Sequence, residues 1–292
     1  MDRITRLIAL AKLEIEKARA RWGAFDIAYR TFKRFGEDDG ATHAAALTYY
    51  TFFSIFPLLL FSAAALGYLT FGNDVLRDQL VDSGLKTIPI LRDALSPEGL
   101  KQIEDNRNGL AVTGTVLALY TGSGVIIAMQ HSLNKIYHVA DEPNFLQKRL
   151  RSLMWLAVLG AFAVVSLALS TVAGFAPTAL AFVLSLAGGL AVNTVLFMTA
   201  YKMLPTTELA WKEVLPGAIV AAIGFEILKV AGTAYLARGE STRTDTFGAF
   251  AAAAALLIAS FIVARVVLLA AEVNAVLAER RATRQSSVPT EA

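Results

Sequence analysis

Six long apolar runs divide the chain, at residues 44–69, 109–130, 152–176, 178–204, 215–236 and 248–271, and charged residues bracket them. About 20 apolar residues in helical form cross the hydrocarbon core of a bilayer. Each run therefore predicts a transmembrane helix, and together they predict an all-α, polytopic six-helix bundle over residues 41–280. Ahead of the first run, Ile4, Leu7, Ile8, Ala11, Ile15, Ala18, Trp22 and Phe25 recur at spacings of three, four and seven, with basic residues between them. That period predicts an amphipathic helix within residues 1–40. Such a helix lies in the membrane interface with its basic side near anionic headgroups, or packs on the cytoplasmic loops. The segment 72–108 is too long for a simple connector. Stripes at Val75, Leu76 and Leu80, then at Ile88, Leu91 and Leu95, predict short helices over the outer mouth of the bundle. Ser96-Pro97 reads as a helix start, with Ser as the cap and Pro in the first turn. The tail, residues 281–292, is polar and is expected to be loose from Thr283 onward.

Composition narrows the class further. Only 17% of the 292 residues are charged and 55% are hydrophobic, whereas soluble domains carry about 25% charged residues. This polarity excludes a water-soluble enzyme and also excludes disorder, which needs charge rather than apolar bulk. The absence of cysteine removes disulfides, thiolate metal sites and cysteine nucleophiles. A net charge of +3 is too slight a bias for a nucleic-acid partner. Its distribution says more. Nine Lys and Arg precede the first run, and eighteen fall on that side of the six spans against seven on the other. The positive-inside rule then places both termini in the cytoplasm and segment 72–108 outside.

Candidate chemistry lies within the spans. Ionisable groups in lipid are costly and usually face the bundle interior. Glu226 and Lys229 sit three residues apart in the fifth run, Arg265 in the sixth, and Asn193 in the fourth. They are ion pairs that set helix register, or they line a substrate or ion path, or they snorkel to the interface. At 1.5 Å per residue, Glu226 lies about 16 Å and Arg265 about 9 Å from the cytoplasmic ends of their antiparallel helices. Their side chains lean toward each other, so a Glu226–Arg265 pair is expected, with Glu272 on the same face as Arg265. Pro57, next to Ser54, removes a backbone bond and predicts a kink in the first span. Gly122, Ser123 and Gly124 predict close helix packing or a backbone-lined path in the second. His131, His138, Asp141 and Glu142 lack the tight spacing of a metal site. No catalytic residue, metal or cofactor is expected.

Several segments together resemble the YihY/BrkB family. They are Ala44-Ala45-Ala46-Leu47-Thr48-Tyr49-Tyr50 with Ser54-Ile55-Phe56-Pro57-Leu58-Leu59, Ser123 to Gln130 with Leu133-Asn134-Lys135-Ile136-Tyr137, Tyr201-Lys202-Met203-Leu204-Pro205, Pro216-Gly217-Ala218, Glu226-Ile227-Leu228-Lys229 and Ala271-Glu272-Val273-Asn274. The likeness spans about residues 25–280. It departs from the family at Ile258-Ala259-Ser260-Phe261 and at Arg265. The resemblance implies a six-helix inner-membrane protein, in a family whose members have been labelled virulence factors, transporters and ribonuclease BN. The last label finds no acid–base or metal site in this sequence. The expected function is therefore that of a transporter or lipid-handling permease for a small molecule or lipid. The alternative is a non-transporting membrane scaffold or envelope assembly factor.

Overall fold

The computed structural model describes residues 19–72, 96–139, 144–174, 178–239 and 248–286, together with Glu14, Glu16, Lys17 and Val75. Among these residues the chain is helical and holds no strand. The helices are α1 (Gly23–Glu37), α2 (Gly40–Thr70), α3 (Pro97–Asp105), α4 (Arg107–Ile136), α5 (Phe145–Gly174), α6 (Thr178–Met203), α7 (Trp211–Gly239) and α8 (Gly248–Ser286). The protein is an all-α polytopic membrane protein, as its apolar runs predict. Among the described residues five helical stretches are long and apolar enough to cross a bilayer: Gly40–Thr70, Arg107–Ile136, Val183–Met203, Trp211–Gly232 and Ala253–Thr283. The third apolar run falls on α5, whose side chains are only partly among those described.

Several hydroxyl side chains inside these helices are satisfied locally. Thr48 donates to the Ala44 carbonyl at 2.7 Å, Ser132 to Ala128 at 2.8 Å and Thr194 to Leu190 at 2.7 Å. A hydroxyl bonded one turn back exposes no unpaired donor to lipid. Such residues therefore interrupt the apolar pattern without breaking the helix.

Neighbour relations close into a ring. Helix α2 packs on α4, α4 on α5, α5 on α6, α6 on α7, α7 on α8, and α8 returns to α2. Glycine permits the tightest of these crossings. A Cβ on Gly114 of α4 would lie 2.6 Å from the Phe61 amide nitrogen of α2, so the two backbones touch. The buried core occupies one end of the ring. Ala44 and Leu47 of α2, Leu133 and Ile136 of α4, Trp155 of α5, Tyr201 and Leu204 of α6, Val214 and Ala218 of α7, and Leu268 to Ala275 of α8 meet there. Both ends of the described chain lie at this end, because α1 packs on the last turns of α8.

Two expectations change at the periphery and a third holds. The apolar stripe running through Trp22 predicts one continuous helix, yet Trp22 is extended (φ −125°, ψ 98°) and α1 begins after it. A stripe reports a shared face but does not detect a local break in backbone conformation. The tail is expected to loosen at Thr283, yet α8 continues to Ser286, held on α1 by contacts to Glu279 and Arg280. Ser96 does cap α3: its hydroxyl accepts from the Gly99 amide at 3.0 Å, with Pro97 at the first helical position. The stripes from Leu76 to Leu95, and Ile4 to Ala11 of the opening helix, lie outside the described residues.

Candidate functional site

The polar residues of the fourth and fifth runs come together where α6 and α7 cross. Asn193 Nδ2 donates to Glu226 Oε1 at 2.8 Å, and Lys229 Nζ lies 2.6 Å from Glu226 Oε2. The second contact is an ion pair without hydrogen-bond alignment, since Oε2 has no aligned donor. Glu226 is 5% exposed and Lys229 is 45% exposed, so a buried carboxylate holds a half-open ammonium. Gly189 of α6 makes the space: a Cβ there would stand 2.7 Å from Glu226 Oε1 and 3.3 Å from Lys229 Nζ.

Rotation about α7 sets which way this group looks. Ile219, Ile223, Ile227 and Val230 are exposed and mark the lipid-facing stripe. At 3.6 residues per turn, Lys229 is roughly 115° from the middle of that stripe. Gly217 and Gly224, on the far side of the helix, meet α8. Lys229 therefore lies off the lipid face, on the side that meets α6.

Arg265 is not the partner of Glu226, contrary to the depth argument. Depth says nothing about rotation. On α8 the ring-facing side is Ala264, Val267, Leu268 and Ala271, all buried, while Arg265 shares the opposite side with the exposed Ile258 and Ile262. Its guanidinium stacks between Phe35 of α1, at 5.8 Å, and Phe261, at 5.3 Å. Lys229, one turn from Glu226, takes the position that the sequence assigned to Arg265. Glu272 is also drawn elsewhere, onto Arg34.

Arg34 is the centre of a second polar group, at the end of the bundle where the termini meet. Its Nε donates to Glu272 Oε2 at 3.3 Å, one Nη to the Ile136 carbonyl at 3.1 Å, and the other to Glu279. His138 Nε2 lies 3.1 Å away and Asp38 at 4.0 Å. One side chain thus ties α1 to both α4 and α8. Burial would lower the Arg34 pKa, but Glu279, Glu272 and Asp38 outweigh it and hold the guanidinium above its ordinary value. Beside it, Asp26 accepts from Arg19 at 2.7 Å, pairs with Arg30 at 3.0 Å and meets Arg280. Burial would raise the Asp26 pKa; hydrogen bonds from Arg19, Arg280 and Arg30 reverse this and hold it below the usual carboxylate range. A cleft of about 510 Å³ opens here, with Arg30, Lys33, Arg34, Asp38, His138 and Glu279 in its wall.

Deeper in the same end, side chains bond neighbouring backbones directly. Asn274 Oδ1 accepts from the Gly217 amide at 2.7 Å, and the Tyr201 hydroxyl donates to the Val267 carbonyl at 2.7 Å. Asn134 Oδ1 accepts from the Thr206 amide at 2.9 Å. Segments that carry the family resemblance thereby meet in space: Asn134 after α4's last apolar turn, the Pro205 loop, Pro216-Gly217-Ala218 and Ala271 to Asn274. Sequence reasoning passed over Arg34, Asn134, Tyr201 and Asn274 as site residues. Asn134 and Asn274 could have been found, because each is an amide inside or beside a long apolar run.

The packing candidates on α2 and α4 sit at crossings. Pro57 and Ser54 are buried, and Ser54 donates to the Thr51 carbonyl at 2.8 Å. A Cβ on Gly122 would be 3.0 Å from Leu156 of α5, and one on Gly124 would be 2.7 Å from the Tyr50 ring of α2. Ser123 between them is buried and donates to the Tyr120 carbonyl. The His131 ring meets that of His43 at 5.5 Å, tilted by 57°, while His138 lies by Asp38 and Arg34. Among the described residues no three His, Cys, Asp or Glu side chains converge as a metal site.

The sequence model of the family described as virulence factor BrkB matches residues 31–292. The chain is 25% identical over 264 residues to the ribonuclease-like protein YfkH of Bacillus subtilis (strain 168), covering 86% of this chain and 94% of that one. It is 27% identical over 226 residues to the inner membrane protein YhjD of Escherichia coli (strain K12), covering 70% and 67%. Identity to the UPF0761 membrane protein RSc1559 of Ralstonia nicotianae (strain ATCC BAA-1114 / GMI1000) is 28% over 268 residues, covering 84% of this chain and 57% of that protein. No solved structure matches.

Proposed function

The chain belongs to the virulence factor BrkB family of integral membrane proteins, and from that premise we propose that it is a permease for an amphiphile with an anionic headgroup. It would cross the inner membrane six times with both termini in the cytoplasm. One observation carries this reading: the direction in which Lys229 points. A lysine within a span ordinarily stretches to the nearer interface. Residue 236, the nearer end of the fifth apolar run, is about 10 Å along the helix from residue 229, and residue 215 is about 21 Å away. The ammonium instead turns back one turn to Glu226, away from the nearer end, while remaining half exposed. A half-exposed cation held by a buried carboxylate, off the lipid face, suits transient pairing with a phosphate or carboxylate group. Asn193 fixes the carboxylate that pairs with Lys229. The reading assigns no hydrolytic step to the protein.

Reconstitution tests it. In proteoliposomes carrying fluorescent phosphatidylglycerol, the wild-type protein is expected to expose inner-leaflet label to an impermeant quencher faster than empty vesicles do. Lys229→Gln is expected to slow this about tenfold, the equivalent of about 1.4 kcal/mol. Wild-type vesicles no faster than empty ones would sink the permease reading and leave the scaffold as the better account.

A further inference from the structure

We propose that the lipid-facing side of α8 beneath α1 is a binding site for the headgroup of an anionic phospholipid, with Arg265 as its phosphate ligand. Arg265 lies in a membrane-crossing helix, yet its side chain is exposed and shares a face with the exposed Ile258 and Ile262. A guanidinium has five N–H donors and no acceptor. Among the described residues the contacts of Arg265 are ring faces, Phe35 at 5.8 Å and Phe261 at 5.3 Å, with no carboxylate in ion-pairing reach. Rings orient a guanidinium from above and below but leave its in-plane N–H groups open. Nearby carboxylates are already engaged: Glu37 with Lys33, and Asp38, Glu272 and Glu279 with Arg34.

The surroundings suit a phospholipid rather than a free ion. Arg265 is seven residues before Glu272, so its Cα lies about 10 Å deeper than the Arg34–Glu272 contact. Its guanidinium lies 5.8 Å from the Phe35 ring of α1 and 5.3 Å from the Phe261 ring, one turn back along α8. A lipid whose phosphate reached that level would lay its chains along Ile262 and Ile258 below. Above, α1 adds the exposed Phe32, an aromatic residue suited to the leaflet interface. The planar fork of arginine can bond two phosphate oxygens at once, which lysine cannot do. This inference does not rest on the permease reading: the lipid is held at the outer surface of the ring, apart from Lys229.

Thermal unfolding of the purified full chain in a non-ionic detergent tests it, with phosphatidylglycerol or phosphatidylcholine titrated in. Wild type is expected to be stabilised at lower concentrations of phosphatidylglycerol than of phosphatidylcholine. Arg265→Gln should raise the phosphatidylglycerol concentration required about tenfold, Arg265→Lys should fall between, and Arg281→Gln, a charge loss elsewhere on α8, should leave it unchanged. Equal titrations for Arg265→Gln and wild type would overturn the site. Should Arg265→Gln fail to fold, wild type decides: no preference for phosphatidylglycerol over phosphatidylcholine overturns it as well. Failure of transport in proteoliposomes with this preference intact would count against the permease alone.

Discussion

Gly217 shows how much one position without a side chain carries. Its amide is the donor to Asn274 Oδ1, and a Cβ there would run into the Ala270 carbonyl and the Asn274 amide. Pro216, just before it, has no N–H to give, so the first turns of α7 depend on α8 for part of their bonding. Gly217→Ala is expected to prevent α7 and α8 from seating and to lower thermal stability more than Asn274→Ala, which should cost about 1–3 kcal/mol through the unpaired amide. Equal melting temperatures for the two variants would contradict this account. At the same scale, the lesson of Glu226 is one of rotation. Its depth is readable by counting residues, but whether it meets Lys229 or Arg265 depends on which face each helix turns to its neighbour.

Among the elements, α1 is joined to the bundle mainly by charge. Arg34 reaches Glu272, Glu279 and the Ile136 carbonyl, and Asp26 gathers Arg19, Arg30 and Arg280. The Asp26 pKa is depressed in the folded protein. Its contribution is therefore fully present above the unfolded value of about 3.9 and is lost as pH falls through the lower folded value. A fluorophore pair on α1 and α8 should report loosening of α1 as pH drops below about 4. Asp26→Asn should show a weaker contact at neutral pH, by about 1–3 kcal/mol given its partly exposed partners, and little further change on acidification. An acid response identical in Asp26→Asn and wild type would mean that Asp26 is not the group that titrates. Of the apolar stripe in the opening segment, Trp22 and Phe25 lie among the described residues. The break at Trp22 and the charged clasp were not legible in it, because a stripe identifies the buried side but not the partner.

For the molecule as a whole, six helices close into a ring that is packed tightly where the termini meet. In the proposed topology that end is cytoplasmic, because the sequence assigns eighteen basic residues to the side of the termini against seven to the other. Because the chain has no cysteine, single cysteines at Asp82 and Thr290 give a clean assay. An impermeant thiol reagent applied to intact cells should label the variant at Asp82 and spare the one at Thr290. The reverse pattern would invert the assignment, and with it the leaflet from which Arg265 takes its lipid.

The class of protein, its apolar runs and the Ser96 cap follow from sequence alone, because each depends on local composition and on spacing along one helix. Hydrophobic length and charge bias act segment by segment and need no knowledge of neighbours. The partner of Glu226, the outward face of Arg265, the capture of Glu272 by Arg34 and the meeting of Gly217 with Asn274 were decided by tertiary structure. Each depends on helix rotation and on contacts between residues as far apart as 238 positions. Apolar runs rich in Ala, Leu and Val look much alike on every side, so the sequence of one helix leaves its rotation nearly free. Close approaches at glycine and a few buried hydrogen bonds are what select it.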